Sequence, residues 1–337
     1  MNNTLIENTG RATDYWPPVQ ALDLAPTAKE VRAEVMATLS GPQKMLPCKL
    51  FYDEYGSRLF DQICKLPEYY TTRTELAIMR EYAGEMASAI GPCPLLVEYG
   101  SGSSVKTRIL IDQLPDADAY VPIDISGKHL LNSVAALQRR YPYLSILPVC
   151  ADYTRPIALP DIDQADSART VAYFPGSTIG NMDPAAAIAF LRSVRATCGQ
   201  NSRLLIGVDL KKDPSTIHAA YNDSAGVTAA FNLNILRRLN HEIGSNFELD
   251  SFCHYAFYNP CLGRVEMHLV SREEQQVSLP EGGTVYFDEG ETIHTESCYK
   301  YTLQEFVDLA AAAGYLSKRV WSDARNWFSV QFFEGAG

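Results

Sequence analysis

An apolar run that ends in a glycine-bracketed turn and then enters an amphipathic helix constrains this chain more than any other feature. Leu95 to Val97 reads as a buried strand, closed by Glu98 and followed by Gly100-Ser-Gly102. Val105, Ile109, Leu110 and Leu114 then recur at helical spacing. Glycines at a strand-to-helix turn let the backbone approach a ligand closely, and the helix start offers free N–H groups. A second apolar run, Tyr120 to Ile123, ends in Asp124. A carboxylate there can accept both hydroxyls of a ribose. Gly-x-Gly alone is a weak signal, and a plain structural turn is the competing reading. The third glycine of the dinucleotide fingerprint is missing, which leans toward S-adenosylmethionine (SAM).

The same rhythm repeats. Strands are expected at 95–98, 119–125, 145–149, 170–174 and 203–209, with helices at 104–114, 127–140 and 184–198. Strands alternating with helices at this spacing predict an α/β fold with a parallel, doubly wound sheet. After Asp209 the alternation breaks. Helical patterns at Ser215–Tyr221 and Ala225–Glu242 precede a β-rich part that includes Arg264–Ser271 and 284–287. It resumes with a helix at 302–313 and strands at 316–321 and 328–333. The reading is an α/β core of 71–210 and 299–337, with 211–298 inserted and packed with 20–70 as a second, α+β substrate-binding domain. Upstream, residues 1–19 are polar and expected to be loose, with Trp16-Pro-Pro18 breaking any helix. Thr27-x-x-Glu30 and Thr72-x-x-Glu75 are capping boxes, the second opening a helix to Ile90. Ser57 to Lys65 is a short helix.

Bulk properties exclude several classes. A net charge of -11 repels a phosphate backbone, so nucleic acid is not an expected partner. No apolar run approaches the roughly 18 residues of a membrane span, and the first residues have no basic n-region or apolar h-region. The eight cysteines form no C-x-x-C and read as reduced, mostly buried thiols. The six histidines lack H-x-x-x-H spacing and sit in no Cys/His cluster, so no metal is expected. These features suggest a cytoplasmic protein with a small-molecule substrate and no obligate protein partner.

Candidate site residues follow the strand ends. Asp152 and Tyr153 come after the third strand, where a carboxylate can accept an adenine amino group beside a ring. Gly176-Ser-Thr-Ile-Gly-Asn181 comes after the fourth. Asn181 can donate and accept at once, which suits an amino acid's ammonium and carboxylate; the alternative is an Asx-turn leading into the next helix. Lys106 is either a contact to the donor's carboxylate or a solvated helix charge. Tyr52, Tyr55, Tyr69 and Tyr70 cluster before the core, and Tyr221 lies early in the insertion. They line a polar pocket or form core with wet tips. Glu296, in Thr295-Glu-Ser-Cys298 near the end of the insertion, is a solvated charge or an acceptor for a substrate N–H.

Together these stretches resemble the SAM-dependent histidine Nα-methyltransferases of ergothioneine biosynthesis, which form hercynine. The resemblance spans nearly the whole chain. It runs through Phe51-Tyr-Asp-Glu-Tyr-Gly-Ser-Arg-Leu-Phe-Asp61, Leu66-Pro-Glu-Tyr-Tyr70, Thr72-Arg-Thr-Glu75, Gly100-Ser-Gly102 and Lys106-Thr-Arg108. It continues in Val121-Pro-Ile-Asp-Ile-Ser126, Gly176 to Asn181, Ala220 to Asn232, Arg264-Val-Glu-Met267 and Ile293-His-Thr-Glu296. It implies a class I (Rossmann-like) methyltransferase core with SAM as methyl donor and no metal. It also implies that Gly100, Lys106, Asp124, Asp152 and Tyr153 bind SAM, and that Asn181 and Tyr221 hold the backbone end of L-histidine. Tyr52 lies near the reacting amine, so Tyr52 and Asn181 are the implied catalytic residues. Gly176 leaves room for the methylated nitrogen. Tyr69, Glu296 and Cys298 face the imidazole, and Met267 packs against it. Cysteine stands at 298 where the family usually has serine, and a thiol is a weak hydrogen-bond partner. Tyr153 stands where phenylalanine is common.

The chemistry fits that pattern. Methyl transfer from a sulfonium to a neutral amine is an in-line displacement that asks for alignment, desolvation and an unprotonated amine. It needs no nucleophilic triad, and none is evident. The alternatives are an N-methyltransferase of another amino acid such as tryptophan, a SAM-binding regulatory protein without turnover, and a nicotinamide dehydrogenase. The last is disfavoured by the missing glycine.

Overall fold

The apolar runs become strands buried along their whole length, which is what helices on both faces of a parallel sheet require. Every residue of Leu95–Tyr99 and Thr170–Phe174 is buried. The computed structural model describes residues 4–7, 20–160, 169–281 and 283–336, and Trp16-Pro-Pro18 falls outside them. The chain divides into two units. The first is Met1–Ala25, Thr71–Lys211 and Tyr301–Gly337; the second is Pro26–Tyr70 and Lys212–Lys300.

The first unit is built on one long sheet. Its order is Thr4–Glu7, Gln20–Leu24, Val149–Ala151, Ala119–Asp124, Leu95–Tyr99, Thr170–Phe174, Arg203–Asp209, Phe328–Gly335, Tyr315–Ser322, with Ser145–Ile146 also pairing Ala119–Asp124. The strands from Gln20–Leu24 to Arg203–Asp209 run parallel; Thr4–Glu7, Phe328–Gly335 and Tyr315–Ser322 are antiparallel to their neighbours. From Leu95–Tyr99 the chain winds outward through Ala119–Asp124 to Val149–Ala151. It then crosses to Thr170–Phe174 on the other side. That reversal opens a crevice at the strand C-termini, where doubly wound sheets bind ligands. The core beneath holds Leu96, Leu110, Tyr120, Leu130, Val134, Val171 and Leu205, all at most 1% exposed.

Several local expectations change. Thr4–Glu7 is a strand paired to Gln20–Leu24, not loose chain. Residues 20–25, expected in the second domain, belong to the first unit because Gln20–Leu24 adds in parallel to Val149–Ala151. The strand expected at 145–149 is two short ones, interrupted before Val149. The helix after the glycine loop is only Val105–Ile111. Thr72 is no cap, since its helix is Tyr70–Ile90 and Glu75 is bonded elsewhere.

The second unit carries a four-stranded sheet in the order Phe252–Asn259, Arg264–Ser271, Thr292–Tyr299, Lys44–Met45, the last pair parallel. A hairpin joins Gln275–Leu279 to Gly283–Phe287. Thr27 and Glu30 do form a capping box at Ala28–Leu39. The helix expected at 57–65 begins earlier, as Glu54–Ile63, because Asp53 caps it by accepting the Gly56 N–H at 2.6 Å. Asn234, on Val227–Glu242, donates to the same Asp53 carboxylate at 2.9 Å. A Cβ at Gly56 would lie 1.7 Å from the Phe51 carbonyl oxygen, so only glycine allows that approach. Among the described residues no helix is long and apolar enough to cross a membrane. Three of the eight cysteines are buried, four half-buried and Cys261 exposed, so the expectation of mostly buried thiols does not hold.

Candidate active site

In the first unit the expected ligand residues gather at the sheet's C-terminal edge. Gly100 and Gly102 have φ of +73° and +48°, and Ser104 follows at +54°. Three left-handed residues in five turn the chain sharply before Val105–Ile111, with glycine at two of them. A Cβ at Gly100 would make only ordinary contact, 3.7 Å, with Cε1 of Tyr153, so the positive φ rather than space selects glycine there. Asp124 accepts the Gly102 N–H and the Ser126 N–H, both at 2.9 Å. Burial raises its pKa, opposed by those bonds. Each carboxylate oxygen keeps lone-pair capacity for a further donor. Asp152 is 5% exposed, and one oxygen accepts from the backbone and hydroxyl of Thr154 at 3.0 and 2.5 Å. Tyr153 sits edge-on to Phe174 and Tyr99, at 5.7 and 6.3 Å between ring centroids. A glycine turn, a carboxylate at each of two strand ends and an aromatic ring thus lie together at the edge where doubly wound sheets bind ligands.

Two buried carboxylates brace this edge, and neither role was foreseen. Glu75 is 1% exposed; its two oxygens accept the Gly176 N–H at 2.9 and 3.0 Å, and it forms an ion pair with Lys106. Lys106 is therefore neither a solvated helix charge nor a free cation. Gly207 makes room, since a Cβ there would stand 2.3 Å from the Glu75 carboxylate. Glu98 accepts from Thr107 at 2.9 and 2.8 Å and from Tyr120. Burial pushes its pKa up to about 8, against the pull of those bonds.

The loop after Thr170–Phe174 is tightly wound. Gly176 and Ser177 have φ of +84° and +58°, and Asn181 ends the 3-10 turn Thr178–Asn181. The Ser177 hydroxyl accepts the Asp209 N–H at 2.8 Å, tying the loop to the next strand end. The cap of the following helix is Asp183, which accepts from Ala186 N–H.

The second unit gathers the tyrosines. Tyr52 follows the 3-10 turn Cys48–Phe51. Ring centroids run from Tyr52 to Phe60 at 5.8 Å, Phe60 to Tyr69 at 6.2 Å and Tyr69 to Tyr221 at 6.5 Å, each edge-on. This is one aromatic wall, and Phe60 was not foreseen in it. Tyr55 is on the helix Glu54–Ile63 and 38% exposed, outside the wall. Tyr70 instead accepts a hydrogen bond from Lys212 at 2.8 Å. Tyr221 closes the helix Pro214–Tyr221, and its carbonyl accepts from His254 Nε2 at 2.9 Å. His254 Nδ1 then accepts from Asn232 at 2.9 Å.

Glu296 and Cys298 lie in the strand Thr292–Tyr299. Met267 is paired in register with Glu296 and is 2% exposed. Residues 296 and 298 share a face by the two-residue period of a strand. Burial raises Glu296 to about 7, opposed by the charge of Lys300. Lys300, missed from sequence, is 2% exposed and donates to Tyr221 Oη at 3.0 Å and Cys298 Sγ at 3.2 Å.

The other face of this sheet overturns the expectation that histidines would not cluster. Glu266, His268 and His294 bring a ligand atom each within 4.8 Å of one another. The two imidazoles stack at 4.8 Å and 20°, so their in-plane lone pairs run side by side rather than converge. Arg264 Nε holds Glu266 at 3.0 Å. Burial lowers both histidine pKa values, which favours the neutral imidazoles. This geometry describes a stacked pair beside an ion pair.

Comparison with known proteins identifies the family. Residues 31–335 match the family described as histidine-specific, SAM-dependent methyltransferases. The chain is 40% identical over 308 residues to the histidine N-alpha-methyltransferase of Mycolicibacterium smegmatis, covering 90% of this chain and 94% of that one. Its identity to the protein of that name from Mycobacterium tuberculosis is 39% over 304 residues, covering 89% and 93%. A 4-dimethylallyltryptophan N-methyltransferase of Epichloe festucae is 27% identical over 331 residues, covering 91% and 95%. A doubly wound sheet, a glycine turn flanked by strand-end carboxylates, and a match over nearly the whole chain make this protein a member of the histidine-specific, SAM-dependent methyltransferase family.

Proposed function

We propose that the protein transfers methyl groups successively from SAM to the α-amine of L-histidine, giving the trimethylated betaine hercynine of ergothioneine biosynthesis. The observation that carries this is the family match over residues 31–335, reinforced by 40% identity to a histidine N-alpha-methyltransferase. SAM supplies an electrophilic methyl on a sulfonium. Gly100, Lys106, Asp124, Asp152 and Tyr153 are the residues proposed to hold it. Asn181 and Tyr221 are assigned to the amino acid's α-groups, and Tyr52 to the neighbourhood of the amine. Nitrogen and methyl carbon then approach to roughly 3–3.5 Å, the separation from which displacement proceeds. Gly176 is assigned to the space in which the methylated nitrogen grows, which a residue without a side chain leaves open. Tyr69, Glu296 and Cys298 are assigned to the imidazole, with Met267 packed against it. A pKa of about 7 makes Glu296 half ionised near neutrality, and its ionised form accepts the ring N–H. We place the activity in the cytoplasm, in keeping with eight cysteines that form no disulfide.

The test is a panel. Protein and SAM are mixed with each of the twenty amino acids and read by mass. Histidine should gain one, two and then three methyl groups, while tryptophan stays unmodified. Preference for tryptophan, or SAM binding with no methylated amino acid, would overturn the assignment. Glu296→Ala leaves an imidazole N–H unpaired, at a cost of roughly 1–3 kcal/mol. It should therefore weaken histidine turnover while leaving SAM binding unchanged.

A further inference from the structure

Lys300 stands beside Tyr221 and Cys298, two of the residues assigned to histidine. It follows the strand Thr292–Tyr299 directly, and its backbone N–H is held by the Gly263 carbonyl at 2.8 Å. Its side chain is 2% exposed. The ammonium lies 3.0 Å from Tyr221 Oη, 3.2 Å from Cys298 Sγ and 5.0 Å from the Tyr221 ring centroid. Tyr221 and Cys298 are each only 6% exposed.

An ammonium has three donors and no acceptor. In the Lys300–Tyr221 bond the phenol oxygen must therefore accept. Its own proton is turned away from Lys300 and becomes available to an acceptor elsewhere. The cation also draws electron density from the oxygen, which strengthens the O–H as a donor. A hydroxyl without this neighbour can rotate and either donate or accept. The same argument makes Cys298 Sγ an acceptor toward Lys300.

We propose that Lys300 is a positioning residue that sets the direction of the Tyr221 hydroxyl, so that it donates to the carboxylate of the bound amino acid. This rests on the assignment of Tyr221 and Glu296 to histidine. The charge of Lys300 also opposes the burial that raises Glu296. Groups that interact electrostatically with Glu296 include Lys300, at the end of its own strand, Cys48 from the turn Cys48–Phe51, and the neutral phenol of Tyr69. Lys300 is the cation among these.

The test is a double-variant cycle on the full chain with SAM. Lys300→Met, Tyr221→Phe and the double variant are compared with wild type for kcat, KM for histidine, and calorimetric affinity for SAM. SAM affinity within twofold of wild type is the folding control. Lys300→Gln, which removes the charge but keeps a donor, is the second variant should Lys300→Met fail to fold. The expected result is a histidine KM raised 10-fold or more by each single variant, with the double variant no worse than the poorer single one. In addition, the pH at which histidine KM changes should move upward in Lys300→Met and Lys300→Gln, because Glu296 loses its cation. A purely structural role would leave that inflection in place. If Tyr221→Phe raises KM but neither Lys300 variant does, or if the effects multiply, the role of Lys300 is overturned and the histidine clamp stands. If Tyr221→Phe itself leaves KM unchanged, the clamp fails and this role with it.

Discussion

The ion pair between Glu75 and Lys106 gives the strongest physical test of how the first unit is held together. Glu75 has a side chain 1% exposed, and Lys106 one 18% exposed. Both Glu75 oxygens also accept the Gly176 N–H. Removing one partner of a buried pair costs roughly 3–5 kcal/mol, because the other charge is left without compensation. The two halves are not equivalent. Glu75→Gln leaves an ammonium that reaches some water, and the amide oxygen can still accept from Gly176, so its cost should sit near or below about 3 kcal/mol. Lys106→Met leaves a carboxylate with almost no water, so its cost should approach roughly 5 kcal/mol. In Glu75→Gln/Lys106→Met neither charge remains. Its loss should be smaller than the sum of the singles by about 2–3 kcal/mol, the upper range for residues in direct contact. A chain of two units need not unfold in one step, so a global midpoint is the wrong measure. Amide exchange followed by mass spectrometry along Leu95–Tyr99 and Arg203–Asp209 reports the first unit alone. Losses that add to within about 0.5 kcal/mol would refute the pair as a coupled unit.

Two further predictions follow from single residues. The folded-state pKa of Glu98 is about 8, above its ordinary 4.5, so the folded chain keeps a proton that the unfolded chain releases between these values. Stability should therefore fall as pH rises through that window, by a few kcal/mol at most, and Glu98→Gln should flatten the profile of exchange protection against pH. An unchanged slope would show that Glu98 does not titrate there. Asp124→Ala should weaken SAM binding by about 2–3 kcal/mol through lost charge-assisted bonds, and calorimetric titration with unchanged affinity would remove Asp124 from the SAM site.

What the sequence determined by itself was the part governed by neighbours along the chain. The strands Leu95–Tyr99, Thr170–Phe174 and Arg203–Asp209 and the helices Gly127–Arg140 and Pro184–Cys198 lie where apolar period and turn residues place them. The strand ends they create were enough to mark Gly100, Asp124, Asp152 and Asn181 as a group, because in a doubly wound sheet those ends share one edge. Periodicity could not tell that Thr72 lies inside a helix. The Thr-x-x-Glu pattern is local, but Glu75 bonds Gly176 across 101 positions. A carboxylate buried to 1% takes the strongest donors in reach, wherever the chain brings them. Spacing likewise missed the stacked His268 and His294, since cross-strand register with a bulge beside Met267 makes them neighbours. Lys300 shows the limit most clearly. In the sequence it is one of 29 basic residues, ordinarily read as a solvated charge. Only the packed sheet takes its water away and leaves it Tyr221, 79 positions distant, and Cys298 as hydrogen-bond partners. Hydrogen-bond partners of buried polar groups are decided by tertiary structure, because dehydration makes a partner necessary and only packing determines which one is within reach.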